Sequence, residues 1–487
     1  MSVPHRAAGR DRDRPWRALI VLAAIALLAT CATNPVTGES ELSLVSEKDE
    51  IAMGRQNAAS TVQTIGLIPD SSVQSYVSTL GKTLAAHTER PSLPWSYQAV
   101  DDPAVNAFAL PGGFVFVTRG LLTHINNEAE LATVLGHESG HVAAKHSVHQ
   151  MSEAEVAQLG LGIGMAVSKQ VAQYGQYAQQ GLQVLFLKFS RDDETQADAL
   201  GFRYAMADGY DVRQMIPVFQ MLDGVTKEAG GQKLPEWEST HPDPGNRVTA
   251  TEARLAKVGQ VDWSQYKVGR DQYLKMIDGM VYGQNPRNGY FENTLFLYPD
   301  GKLQIQFPSG WQTQNTADAV MAGSPQQDAI IELRAVAGTP ADAAQKFAST
   351  QGVTIGKSAS GQVHGLSALE REFSVQQEGQ SPVQGIAAFI DYGGTTYRIL
   401  SYAAAASAGN YVSAFEQTIT SFGPLTDPKA LAVQPKRVRL VRVPKAMTIT
   451  EFNAQYPSSI PVEELALING LPSTAAIPAG TTIKRIE

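Results

Sequence analysis

The sequence is poor in cysteine, in excess positive charge and in long apolar runs. One cysteine among 487 residues leaves no disulfide to close within the chain. Lys and Arg together number 39 against 47 Asp and Glu, a net charge of −8, and no basic patch offers a footing for nucleic acid. Hydrophobic residues make up 43% and charged residues 18%, the balance of a globular chain long enough for two or three cores. The apolar run at the amino end, 18–29, is shorter than the roughly 20 residues a membrane-spanning helix needs.

What surrounds that short run gives it meaning. Arg6, Arg10, Arg12, Arg14 and Arg17 precede it, the layout of an export signal. The lone cysteine, Cys31, follows in Leu28-Ala29-Thr30-Cys31, which resembles a bacterial lipobox. The expectation is a signal segment over 1–31, lipidation at Cys31 and attachment to a membrane through acyl chains. Ala32 rather than Asp after the cysteine favours the outer membrane and a periplasmic location. Thr30 departs from the usual small residue of a lipobox, and an uncleaved anchor helix is the alternative. Loss of this arginine-rich leader makes the remainder more acidic, so electrostatic binding to anionic lipid is not expected.

The densest chemistry lies at His137-Glu138-Ser139-Gly140-His141. This H-E-x-x-H motif falls in a stretch that reads as one helix over 127–150. Residues four apart lie about 40° apart around a helix, so His137 and His141 can grip one metal ion. Glu138 sits one residue round, in reach of a water on the metal but off the metal itself. A catalytic zinc wants a third protein ligand, and Glu194 supplies the right class in a second helix, 184–204. Asp198, four residues on, shares its face and can take the second N–H of a ligand histidine. The other reading of Asp192, Asp193 and Glu194 is a solvated helix start.

The segments His137–His146 (H-E-S-G-H-V-A-A-K-H), Asn106–Gly113 (N-A-F-A-L-P-G-G) and Ser190–Asp198 (S-R-x-x-E-x-x-A-D) resemble the M48 family of zinc metallopeptidases. The likeness covers roughly 34–258. It implies one Zn²⁺ per chain held by His137, His141 and Glu194, Glu138 as general base, and polypeptide substrates. It also implies quality control of misassembled envelope proteins. The family keeps an H-P segment near the zinc, so Thr240-His241-Pro242 brings His241 forward, with Arg247 opening the next helix, as further candidate catalytic residues. His241 is either a reversible fourth ligand or a donor to the tetrahedral intermediate; a surface-loop histidine is the alternative. His146 lies five residues after His141 and on a straight helix would point elsewhere, so it reads as a packed or hydrogen-bonding residue. His149 reads as solvated.

The expected fold is α+β. A mainly helical zincin-like domain over 32–284 precedes a small α+β domain over 285–428, whose Phe307-Pro308-Ser309-Gly310-Trp311 is similar to a PsbP-like segment. A LysM-like β-α-α-β module follows over 429–487. Strands are expected at 95–101, 106–110 and 114–118, with 106–110 or 114–118 available to a substrate backbone by strand addition. The glycine-rich stretch 151–180 reads as a possible mobile cover. The last module is expected to dock envelope proteins or, if LysM-like in function, peptidoglycan. A competing reading makes the chain an envelope assembly factor with a mostly shut peptidase site.

Overall fold

The structure is a computed structural model that describes residues 31–152, 189–228, 237, 240–241, 246–376, 382–472 and 475–487. The expected export signal over 1–31, save its last residue, the glycine-rich stretch after residue 152 and parts of the 236–247 loop lie outside the described residues. Helices and sheets mix as expected of an α+β protein. No helix among the described residues is long and apolar enough to cross a membrane.

The part that carries the H-E-x-x-H motif is built on one buried helix. Helix α1 spans Glu47–Ile65 and α2 spans Ser71–Ala85. Strands β1 (Ser96–Val100), β2 (Ala107–Leu110) and β3 (Phe114–Thr118) form a sheet in the order β1-β3-β2. Strand β3 pairs parallel with β1 and antiparallel with β2, so 114–118 is central and only β2 keeps a free edge on that side. Strand addition at 114–118 is thereby excluded. A short helix α3 (Arg119–His124) leads to α4 (Glu128–Ala143), whose every residue is buried. Asn127 caps α4 by accepting the Glu130 N–H, and Glu128 and Glu130 suit the positive end of the helix.

The expected single helix over 127–150 is broken. Ala144 ends α4, Lys145 takes a left-handed φ of 60°, and the chain re-enters a helix over 146–152. The second motif helix, α5, runs Arg191–Ala207 rather than from 184, because Ser190 and Asp193 form a capping box that starts it there. Helices α6 (Met215–Glu228) and α7 (Arg247–Val258) complete the site's walls.

The middle region keeps its own cores. A seven-stranded antiparallel sheet runs in the order β7-β8-β9-β10-β6-β5-β4. Its strands are β4 (Gln312–Asn315), β5 (Val320–Gly323), β6 (Ala329–Val336), β7 (Val353–Val363), β8 (Leu366–Val375), β9 (Val383–Tyr392) and β10 (Thr395–Ala404). Gly393 and Gly394, both at positive φ, make the β9–β10 hairpin turn that the Gly-Gly pair announces. Helix α8 (Pro340–Ala348) packs through Ala343 and Ala344 on one face. Helix α9 (Val412–Ser421) packs through Phe415 and Ile419 on the other.

The last module has the expected order: β11 (Val438–Arg442), α10 (Ile449–Gln455), α11 (Val462–Ile468) and β12 (Thr482–Ile486). It does not stand apart. Val438, Phe452, Leu465 and Ile483 belong to the same hydrophobic cluster as Leu131, Leu135 and Tyr273. Gly224 of α6 leaves room for Leu467, whose Cδ1 would lie 2.3 Å from an added Cβ. Lys484 is fully buried and donates to the carbonyls of Thr123, His124 and Ile125 at 2.9, 3.2 and 2.8 Å. That places a cation on the negative end of α3.

Candidate metal centre

Helices α4 and α5 cross at almost backbone contact. A Cβ on Gly201 would lie 2.7 Å from the His137 nitrogen, and one on Gly140 would lie 3.0 Å from Leu200 Cβ. These missing side chains let Glu194 reach over the two histidines. The His137 and His141 Nε2 atoms stand 3.0 Å apart. Glu194 Oε2 lies 3.5 Å from His137 Nε2 and Oε1 lies 3.5 Å from His141 Nε2. His241 joins them, its Nδ1 being 2.8 Å from Glu194 Oε1. One ligand atom from each of His137, His141, Glu194 and His241 fits within 4.8 Å of the others, and all four residues are buried.

The neighbours of each imidazole assign its tautomer. His137 Nδ1 lies 2.9 Å from Asp198 Oδ1, so its N–H donates there and its Nε2 lone pair faces the cluster. Arg247 forks onto both Asp198 oxygens, with Nε to Oδ2 at 2.9 Å. Burial would raise the Asp198 pKa, but Arg247 and His137 outweigh it and hold the carboxylate at about 2. Arg247 is itself held over the Phe219 ring at 4.2 Å and beside Trp237. His141 Nδ1 meets His146 Nδ1 at 2.8 Å, and His146 Nε2 meets Gln196 Oε1 at 2.7 Å. Gln196 Oε1 can only accept, so His146 donates to it and accepts from His141. That leaves a second Nε2 lone pair directed at the first.

Two lone pairs and a carboxylate converge on one point, an arrangement that suits a cation. The unmet valences agree. Among the described residues, both oxygens of Glu138 and Oε2 of Glu194 are buried with no hydrogen-bond partner. Burial raises the Glu138 pKa, with His241 and His137 opposing. For Glu194 burial also pushes upward, but His241 and His141 win and keep it well below the usual carboxylate value. Two imidazoles and a carboxylate in a tight buried group suit zinc.

The structure thus gathers His137, Glu138, His141, Glu194, Asp198, His241 and Arg247 in one place. Sequence reasoning missed the aromatic walls: Phe189 stacks on His141 at 4.0 Å and Trp237 stacks on His241 at 4.3 Å. The four-residue spacing of Trp237 and His241 is the one signal of that stack. His146 bonds His141 because the break at Lys145 turns it back. His149, expected to be solvated, is half-buried and has an interaction partner. A cavity of about 410 Å³ opens beside His241 and Arg247, walled by Phe219, Leu222, Trp237 and Val248.

Residues 71–255 match Peptidase family M48. The likeness to M48 peptidases lies in this part of the chain. The beta-barrel assembly-enhancing protease of Yersinia pestis is 30% identical over 227 residues, 44% of this chain and 46% of that protein. The corresponding protease of Escherichia coli strain K12 is 28% identical over 286 residues, 56% of this chain and 57% of its own. The mitochondrial metalloendopeptidase OMA1 of Bos taurus is 35% identical over 162 residues, 32% and 31% of the two chains. The chain therefore spans between 31% and 57% of the length of these relatives. A solution structure of a cyanobacterial PsbP from Synechocystis is similar at 14% identity, covering 28% of this chain and 95% of that one. Its TM-score of 0.23 supports nothing further. The site described above lies within the matched residues.

Proposed function

We propose that the chain is a zinc-dependent metalloendopeptidase of a bacterial cell envelope that cuts extended, misfolded or misassembled envelope proteins. The observation that carries this is the buried Glu138 carboxylate, which has no hydrogen-bond partner among the described residues and lies 3.7 Å from His241 Nε2, beside two convergent imidazoles and Glu194. His137, His141 and Glu194 would hold the metal. Zinc, when bound there, lowers the pKa of a water and polarises the scissile carbonyl. Glu138 takes the proton of the attacking water and returns it to the leaving amine. Asp198 keeps the His137 Nδ1 proton in place, and Arg247 keeps Asp198 ionised; Arg247 acts by positioning. The substrate backbone adds to the free edge of β2, and a side chain next to the scissile bond enters the cavity walled by Phe219 and Leu222.

The test is Glu138→Gln. The variant is expected to keep its zinc and fold and to lose hydrolysis of a casein-type substrate by at least about 10²-fold. Turnover equal to the parent excludes Glu138 as the base.

A second reading is favoured by how closed the site is. His137, Glu138, His141, Glu194 and His241 are each no more than 2% exposed. His241, wedged between Trp237 and Glu194, occupies the position of a fourth ligand. A fourth protein ligand displaces the water and leaves the enzyme slow, as a latent assembly factor would be. His241→Ala then raises the basal rate. If His241 instead donates to the oxyanion, the same change lowers the rate by up to about 10²–10³. An unchanged rate and zinc affinity exclude both roles.

Membrane attachment through a lipid on Cys31 belongs to this reading and rests on the sequence alone. Mass spectrometry of the mature chain is expected to find Cys31 acylated; an unmodified Cys31 rejects the anchor. Any contact of 429–487 with peptidoglycan or envelope proteins has to use the face turned away from the catalytic part.

A further inference from the structure

The seven-stranded sheet carries a charge arrangement that packing alone does not call for. Arg334 on β6 and Arg398 on β10 stand directly opposite each other across adjacent strands. Like charges at that spacing repel. Glu332 accepts from Arg398 at 2.6 Å and lies 3.4 Å from Arg334 Nε, and Asp318 lies 3.4 Å from Arg334 Nη2. Lys346 on α8 adds a third cation, so three positive groups face two negative ones. The Nε atoms of both arginines find no hydrogen-bond partner.

A cavity of about 270 Å³ opens between this pair and the C-terminal half of α8. Val336, Phe347 and Phe389 give it an apolar wall beside Lys346. Strand β5 begins at Val320, opposite Leu333, so, among the described residues, 334–336 of β6 have a strand neighbour on the β10 side only. An extended chain can pair along that open edge.

We infer that this cavity binds the C-terminal end of an extended polypeptide. The terminal carboxylate sits among Arg334, Arg398 and Lys346, the last side chain rests on Phe347 and Phe389, and the preceding backbone runs along 334–336. A fatty acid offers the same carboxylate and apolar body but has no peptide groups for the edge. Capture of chain ends would hold a substrate on the protein independently of its metal chemistry.

The experiment uses the full chain carrying Glu138→Gln and a fluorescent short peptide ending in Phe, as the free acid and as the C-terminal amide. The acid is expected to bind at least about tenfold more tightly than the amide, the scale of one lost charge-assisted interaction. Lys346→Glu, an exposed change that leaves the fold intact, and Arg334→Gln are each expected to weaken the acid about tenfold. Equal binding of acid and amide, no binding of either, or no effect of Lys346→Glu overturns the inference. Displacement of the peptide by decanoate at matching affinity also overturns it and gives the cavity to a fatty acid. Because binding is read without turnover, its failure is separable from failure of the peptidase reading.

Discussion

Two buried polar clusters lie on the same helix, and their valences are met in opposite ways. At the start of α4, Glu130 accepts from the Asn126 N–H at 2.6 Å and the Asn127 amide at 2.7 Å, near the buried Lys484. Every donor of the Lys484 ammonium has a carbonyl. About 12 Å from Glu130 along the axis, Glu138 and Glu194 leave three buried oxygens with no hydrogen-bond partner among the described residues. Burying an unpaired charge costs several kcal/mol, and folded proteins keep such groups only where something else completes them. The cluster whose charged groups are satisfied, with only the neutral Asn126 Oδ1 left over, reads as construction, and the one with open carboxylate oxygens reads as a place for a ligand.

The sharpest way to break this contrast is to remove a ligand from the open cluster. Glu194→Ala leaves two histidines, and zinc content is expected to fall from about one per chain to a small fraction of that. The chain should stay folded, because one buried charge with an unpartnered oxygen has been removed. Stoichiometric zinc by elemental analysis in this variant would falsify the ligand set.

The closed cluster should answer with stability instead. Lys484→Ala strips three carbonyls of their donor and leaves Glu130 without its neighbouring cation. A loss of about 3–5 kcal/mol is expected in urea unfolding, with zinc stoichiometry unchanged in the folded fraction. A loss under about 1 kcal/mol would mean that the last module is not locked to α3 through this residue.

Acid separates the clusters a third way. The Asp198 carboxylate is held at about 2, below its ordinary value of 3.8. A depressed acid contributes stability that is complete above its unfolded value and is lost as pH falls towards its folded one. Metal-free parent protein is therefore expected to lose about 2 kcal/mol relative to Asp198→Asn between about pH 4 and pH 2. A difference that stays constant through this window rejects the Asp198–Arg247 pairing as its source.

The approach of His137, His141 and Glu194 was legible because helical spacing is local: four residues make one face wherever the helix sits. The β-α-α-β tail and the Gly-Gly hairpin were legible for the same reason. What spacing could not tell is where a helix stops being straight. Lys145 carries no glycine-like mark, yet its left-handed φ turns His146 towards His141. Nor does sequence order say which strand is central, so 114–118 and 106–110 read alike until β1 pairs with β3. Lys484 lies in an ordinary Thr-Ile-Lys-Arg-Ile strand, and its burial is decided by a helix some 360 residues earlier in the chain.

The smallest expected effect probes that broken helix directly. His146 sits between His141 and Gln196, and its only bonds to either are the ones that pass the His141 proton along. His146→Phe keeps a ring in the buried site but cannot accept from His141 Nδ1. His141 is then free to take the other tautomer, with its proton on the nitrogen that should face the metal. Loss of such an outer partner typically costs about tenfold in metal affinity at the low end of the range. Chelator competition should show that drop, and the urea midpoint of the metal-free protein should barely move. If zinc affinity holds, the Phe189 ring stacked 4.0 Å from His141 is enough to orient the ligand, and the relay through His146 and Gln196 is packing rather than tuning.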